Sequence, residues 1–158
     1  MTNNDVLRRL RYTFELNDDK VMSTFASGGY EATRVEISDW MKKDDDEAYK
    51  NLGDKYLATF LNGFINLKRG KREGEQPAPE KKINNNIILR KLKIALNLQD
   101  DDMLEILDLA DLRFSKSELS AFFRKPDHRH YRECKDQIIR NFLHGLQIKY
   151  KDSLENFD

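Results

Sequence analysis

Displaced by 82 positions, this chain meets itself, and no other feature constrains its fold as tightly. Asn3, Asn4, Leu7, Arg8, Leu10 and Leu16 fall on Asn85, Asn86, Leu89, Arg90, Leu92 and Leu98. Asp18 and Asp19 meet Asp100 and Asp101; Glu36 and Ser38 meet Glu118 and Ser120; Phe60, Leu61 and Gly63 meet Phe142, Leu143 and Gly145. From Asn3 to Lys68 no gap is needed, and about one position in four is identical. Other pairs exchange like for like, such as Val6 with Ile88 and Trp40 with Phe122. Self-similarity at one fixed displacement marks a duplicated structural unit. A residue kept in both copies has a reason to be kept, although a shared fold supplies that reason as readily as a shared function.

Between the copies runs "KRGKREGEQPAPEKK", Lys68 to Lys82, with two glycines and two prolines among charges and no large apolar residue. It reads as a solvated linker. The units are therefore expected at 1–68 and 83–151, with 69–82 between them and a weakly ordered tail at 152–158.

Within each copy the apolar period is helical. Leu7, Leu10 and Phe14, and likewise Leu89, Leu92 and Leu96, mark a first amphipathic helix. The Asn pair before each stripe reads as its N-cap. Asp18-Asp19 and Asp100-Asp101-Asp102 open a second helix, where acids complement the free N–H groups. "TRVE" and "SKSE" are Ser/Thr-x-x-Glu capping boxes for a third, which assigns Glu36 and Glu118 to capping rather than to catalysis. The last stripe, from Tyr49 to Phe64 and from Tyr131 to Leu146, reads as a further helix. Gly53 breaks its first version into a short piece and a long one capped by Asp54. Gly63 and Gly145 lie inside these helices, where glycine costs about 1 kcal/mol relative to alanine, so a close helix crossing is expected there. Nothing alternates with period two between hairpin turns. The fold class is all-α, two tandem pseudo-equivalent helical bundles.

"NNDVLRRLRYTFELNDD", "FLNGFINLKRGK", "INNNIILRKLKIALNL" and "YRECKDQIIRNFLHGL" resemble the bacterial YehS-like family of unknown function, over nearly the whole chain. The resemblance implies a small bacterial cytosolic protein of two similar domains and carries over no catalytic residue.

Function is less legible. The 28 basic and 28 acidic residues cancel, so the net charge draws the chain toward neither nucleic acid nor an anionic membrane. The single cysteine, Cys134, rules out an intrachain disulfide and suits a reducing compartment. The opening residues lack the regions of a secretory signal, and no apolar run approaches the roughly 20 residues that span a bilayer. A cytoplasmic protein is expected. No phosphate loop, zinc spacing or nucleophile elbow occurs; the reading leans away from an enzyme and assigns no catalytic residue, metal ligand or cofactor. His128 and His130 are two apart and do not share a helix face, and Cys134 sits in an apolar stripe. The candidate binding residues are the cations on the polar face of the first helix of each copy: Arg8, Arg9 and Arg11, then Arg90, Lys91 and Lys93. They suggest a non-enzymatic module that engages a protein or small ligand through both repeats. The alternative is nucleic-acid binding, since the second and third helices follow helix-turn-helix order. Glu36 and Asp39 on the third helix, which would serve for recognition, would repel phosphates.

Overall fold

The computed structural model describes residues 1–152. These residues hold eight α-helices and no strand. In the first unit, Met1–Ile83, the helices are α1 (Asn3–Thr13), α2 (Asp18–Gly28), α3 (Arg34–Met41) and α4 (Asp54–Arg69). In the second, from Asn84 onward, they are α5 (Asn85–Ala95), α6 (Asp100–Leu109), α7 (Lys116–Ala121) and α8 (Asp136–Gln147), which ends in a π-helical turn, Ile148–Asp152. Both units have the same helix order. The tail expected at 152–158 lies outside the described residues apart from Asp152.

The capping boxes form as read. The Thr33 and Ser115 hydroxyls accept from the Glu36 and Glu118 N–H groups at 3.1 Å, and each glutamate accepts from its cap's N–H at 3.0 Å. The caps of α1 and α5 differ from expectation. Thr2 and Asn84 hold those positions, and the Asn pairs are the first two residues inside each helix. Their carboxamides are used elsewhere. Buried Asn4 donates to the carbonyls of Trp40 (3.0 Å) and Lys50 (2.8 Å) and accepts from the Leu52 N–H (2.9 Å) and the Tyr49 hydroxyl (3.1 Å). Asn86 repeats this with Phe122 (3.0 Å), Arg132 (2.8 Å) and the Cys134 N–H (2.9 Å). Asn3 donates to the Leu52 carbonyl (2.9 Å) and Asp54 (2.8 Å); Asn85 does so to Cys134 (3.0 Å) and Asp136 (2.8 Å). Every backbone and aspartate partner is displaced by 82 positions along with its asparagine; the Tyr49 hydroxyl alone is not repeated, since Tyr131 does not bond Asn86 among the described residues.

These bonds explain a second correction. The segment from Lys42 to Gly53 is turns and extended chain rather than a short helix, and α4 begins at Asp54 with Gly53 as its N-cap. The Lys50 carbonyl and Leu52 N–H that a helix would pair internally are held by Asn4 instead. Asp54 is inside the helix, and its carboxylate accepts from Asn3 and from the Ile83 N–H (3.2 Å). Most of the segment between the units is exposed, with local contacts to the first unit. Gln76 and Pro77 lie against Asn62, Ile65 and Asn66 on α4, and Pro79 and Ile83 are half-buried.

Each core forms where the apolar stripes meet. Phe60, Leu61, Phe142 and Leu143 are buried, as expected. The first core is aromatic: Phe25 lies 5.2 Å from Phe60 and 5.4 Å from Trp40 between ring centroids, and Phe14 lies 5.2 Å from Phe64. In the second unit the positions of Phe14, Phe25 and Phe64 are leucines, Leu96, Leu107 and Leu146. Gly63 and Gly145 mark the helix crossings. A Cβ on Gly63 would stand 1.8 Å from the Thr24 carbonyl oxygen of α2, and one on Gly145 would stand 2.1 Å from that of Ile106 on α6.

Candidate functional site

The six cations of the first helices are placed unevenly. The Arg8 guanidinium donates to the Lys42 carbonyl at the end of α3 (2.9 Å) and pairs with Asp5. Arg11 donates to the Leu16 carbonyl and to Asp18, both at 3.1 Å. Lys93 reaches Asp100, the equivalent of Asp18, at 2.8 Å and stands 4.6 Å over the Phe123 ring. Arg11 and Lys93 tie their helix to the next one, and Arg8 ties α1 to the end of α3. Arg9 and Lys91 are half-buried, and Arg90 is exposed. Arg90 has no ion pair among the described residues because the acid that holds Arg8, Asp5, is Ile87 in the second copy.

A different group of cations comes together beyond α7. Ser117, Glu118 and Ala121 on α7 and the residues Arg124, Arg129, His130, Tyr131 and Arg132 line an open groove of about 620 Å³. The loop is held at its far end. The Arg132 N–H donates to the Ala121 carbonyl (3.1 Å), and the Arg132 carbonyl accepts from Asn86 (2.8 Å). Between these anchors the loop closes on itself. Tyr131 N–H donates to the His128 carbonyl (2.9 Å), His130 N–H to His128 Nδ1 (3.0 Å), and Arg129 Nε to His130 Nε2 (3.1 Å). The Arg132 guanidinium lies 5.5 Å from the ring centres of both Phe114 and Phe122, a cation–π seat, and 4.0 Å from Glu118. Bonds from the Ser115 N–H, first, and its hydroxyl hold the Glu118 carboxyl below its ordinary range. Arg124 and Arg129 have no acidic partner among the described residues.

The corresponding loop of the first unit has the opposite sign. Lys42–Asn51 contains three cations against four acids, with Asp44 to Glu47 consecutive, whereas Arg124–Glu133 contains four cations against two acids, with two histidines besides. The tyrosines differ too. Tyr49 donates to Asn4, while Tyr131 lines the groove and its hydroxyl has no hydrogen-bond partner among the described residues. The scaffold is duplicated, and the surface it carries is not. Sequence reasoning that asks what the copies share passes over this loop. The signal is present in the sequence as a charge reversal at aligned positions, Asp46-Glu47-Ala48 against His128-Arg129-His130.

The same duplication appears in comparison with known proteins. A family model described as a protein of unknown function, DUF1456, matches residues 3–70 and again 85–152. The chain belongs to this family. Among curated proteins, the uncharacterized protein YehS of Escherichia coli (strain K12) is 46% identical over 151 residues, covering 94% of this chain and 96% of that one. No solved structure matches the chain. The two DUF1456 matches coincide with the two helical units.

Among the described residues no group of three or more His, Cys, Asp or Glu side chains is placed to hold a metal ion, and no helix is long and apolar enough to cross a membrane. Cys134 is buried, 1% exposed, at the position of Leu52. Burial, chiefly, pushes its thiol up to about 12, far from the thiolate that nucleophilic chemistry needs. Iodoacetamide in mildly alkaline buffer is therefore expected to leave Cys134 unmodified in the native protein and to alkylate it fully in denaturant. Rapid native labelling, read by mass, would show that the thiol is neither buried nor protonated as the fold implies.

Proposed function

We propose that this protein is a non-enzymatic helical binding module, which engages a small ligand or a protein through surfaces built on a duplicated scaffold. One observation carries the proposal. Among the polar residues identical in both copies, Asn3 and Asn85, Asn4 and Asn86, and Glu36 and Glu118 are engaged within their own fold. What differs between the copies is the charge of a surface loop, and in the second copy that loop borders a groove. Conserved scaffolding under divergent surfaces suits recognition better than catalysis, which concentrates its repeated polar groups in the site. Of the first-helix cations, Arg8, Arg11 and Lys93 serve the fold, and exposed Arg90 is the candidate for contact.

Nucleic acid ranks second. Five residues separate α2 from α3, and α3 presents Glu36 and Asp39. Its second-copy counterpart, α7, has six residues, little more than one and a half turns for a recognition helix. Anisotropy titrations with random duplex and single-stranded DNA at physiological salt separate the readings, run beside a thermal-shift screen of anionic small molecules. The expected result is a thermal shift with small ligands, recovered chemically unchanged, and no appreciable binding of either DNA. Tight binding that weakens steeply with salt would give nucleic acid first place.

A further inference from the structure

We propose that the groove between α7 and the loop Arg124–Arg132 is a recognition site for a small phosphomonoester, with Arg124, Arg129 and Arg132 meeting the phosphate and Tyr131 and Ser117 the remainder of the ligand. The inference deepens the binding-module reading and rests on it.

The chemistry of the lining selects the ligand class. Three guanidiniums and an imidazole border one groove, and guanidinium forks match the oxygens of phosphate in pairs. Two of the three, Arg124 and Arg129, form no ion pair among the described residues. Arg132 is pre-seated: its backbone is held on both sides by Ala121 and Asn86, and its side chain stands on Phe114 and Phe122. A cation held in place loses little conformational freedom on binding, which favours affinity for a small anion. The Tyr131 hydroxyl is released here, unlike that of Tyr49, and is available to a ligand.

The shape of the charge selects a small ligand over a polymer. Asp127 and Glu133 bound the loop in sequence, and Glu118 stands in the groove wall. The cationic surface is therefore one groove and not the strip along which a nucleic acid would neutralise successive phosphates. Glu118 accepts the Ser115 N–H through one oxygen and lies near Arg132 with the other. It limits the site to a ligand whose phosphate sits toward Arg124 and Arg129, with hydroxyl groups toward the carboxylate. A sugar phosphate has that polarity. The first unit, with Asp46, Glu47 and Ala48 at the corresponding places, has no such site.

The test is a titration of the full chain followed by amide resonances. Ribose 5-phosphate is the probe, with inorganic phosphate, ribose and a short single-stranded oligonucleotide as separate arms. Ribose 5-phosphate is expected to shift the amides of Ala121 and Arg129–Arg132 in a saturable way, inorganic phosphate to shift them more weakly, and ribose to leave them in place. Replacing both Arg124→Gln and Arg129→Gln is expected to weaken ribose 5-phosphate binding about tenfold or more, since two charge-assisted contacts are lost. Lys50→Gln, the equivalent of Arg132 in the first unit, is expected to leave it unchanged. Both substitution sets are on exposed side chains, and an unchanged helical circular-dichroism spectrum confirms folding. Arg132 is left intact because its packing on two rings would confound the result. Amides that do not move with ribose 5-phosphate, or that move equally in the double variant, overturn the site. If small ligands still shift the thermal midpoint in that case, the binding-module reading stands without it. Saturation by the oligonucleotide alone overturns both readings in favour of nucleic acid.

Discussion

Gly63→Ala is expected to lower the stability of the first unit by about 3 kcal/mol, although the same change in an ordinary helix gains about 1 kcal/mol of propensity. The sign reverses because the added methyl would meet backbone. Its position is 1.8 Å from the Thr24 carbonyl oxygen and 2.8 Å from the carbonyl carbon. No rotamer change relieves that contact; α2 and α4 must separate, and the packing of Phe25 against Phe60 goes with them. For a unit of this size the loss corresponds to a fall in melting temperature on the order of 15 °C, measured by circular dichroism. A midpoint at or above that of the parent would refute the close crossing. Gly145→Leu is expected to act in the same direction, since its Cβ would stand 2.1 Å from the Ile106 carbonyl oxygen. The first crossing needs glycine on both helices, because a Cβ on Gly28 would stand 2.0 Å from the Thr59 carbonyl oxygen. The second needs one: α6 ends at Leu109, and the position of Gly28 is Ala110.

Asn86→Ala is expected to cost about 3–5 kcal/mol, because three backbone groups lose their partners at about 1–3 kcal/mol each and some will recruit water. The carbonyls of Phe122 and Arg132 and the Cys134 N–H meet in one carboxamide. That carboxamide supplies two donors and an acceptor from one side chain, which serine, aspartate or leucine does not do. Asn86→Asp is expected to be no better, since a carboxylate accepts and would face two carbonyl oxygens while buried. Urea unfolding, with the slope compared to that of the parent, reads the effect. A loss below about 1 kcal/mol would mean that the loop is held by something other than this residue. The consequence reaches the groove. Asn86 fixes the carbonyl of Arg132, so its removal is expected also to blur the site that Arg132 anchors. Asn4, with four bonds to the Trp40–Leu52 segment, is expected to be at least as sensitive.

The two sets of expectations differ in where they could be read. Duplication, helix order, both capping boxes, the buried Phe-Leu pairs and the glycine crossings were all legible in the sequence. Each depends on local spacing or on a residue whose cost is hard to explain otherwise. A capping box is four consecutive residues bonding to themselves, and an apolar stripe of period 3.6 has one way to bury itself. The roles of the asparagines were not legible. Asn at a helix start has a common local use, and only the approach of a segment 36 to 48 residues away shows that Asn4 and Asn86 serve a different one. The same holds for the segments before α4 and α8, whose apolar residues suggested helix while long-range bonds to these asparagines hold them extended. The basic loop illustrates the boundary from the other side. Its charges are plain in the sequence, but Arg124 is separated from Arg132 by a Pro-containing turn, and only tertiary structure closes that turn against α7. Side-chain type and local period are properties of the chain. Which distant backbone groups share one carboxamide, and which cations share one groove, depends on how the helices pack, because those contacts join residues that no short stretch of sequence brings together.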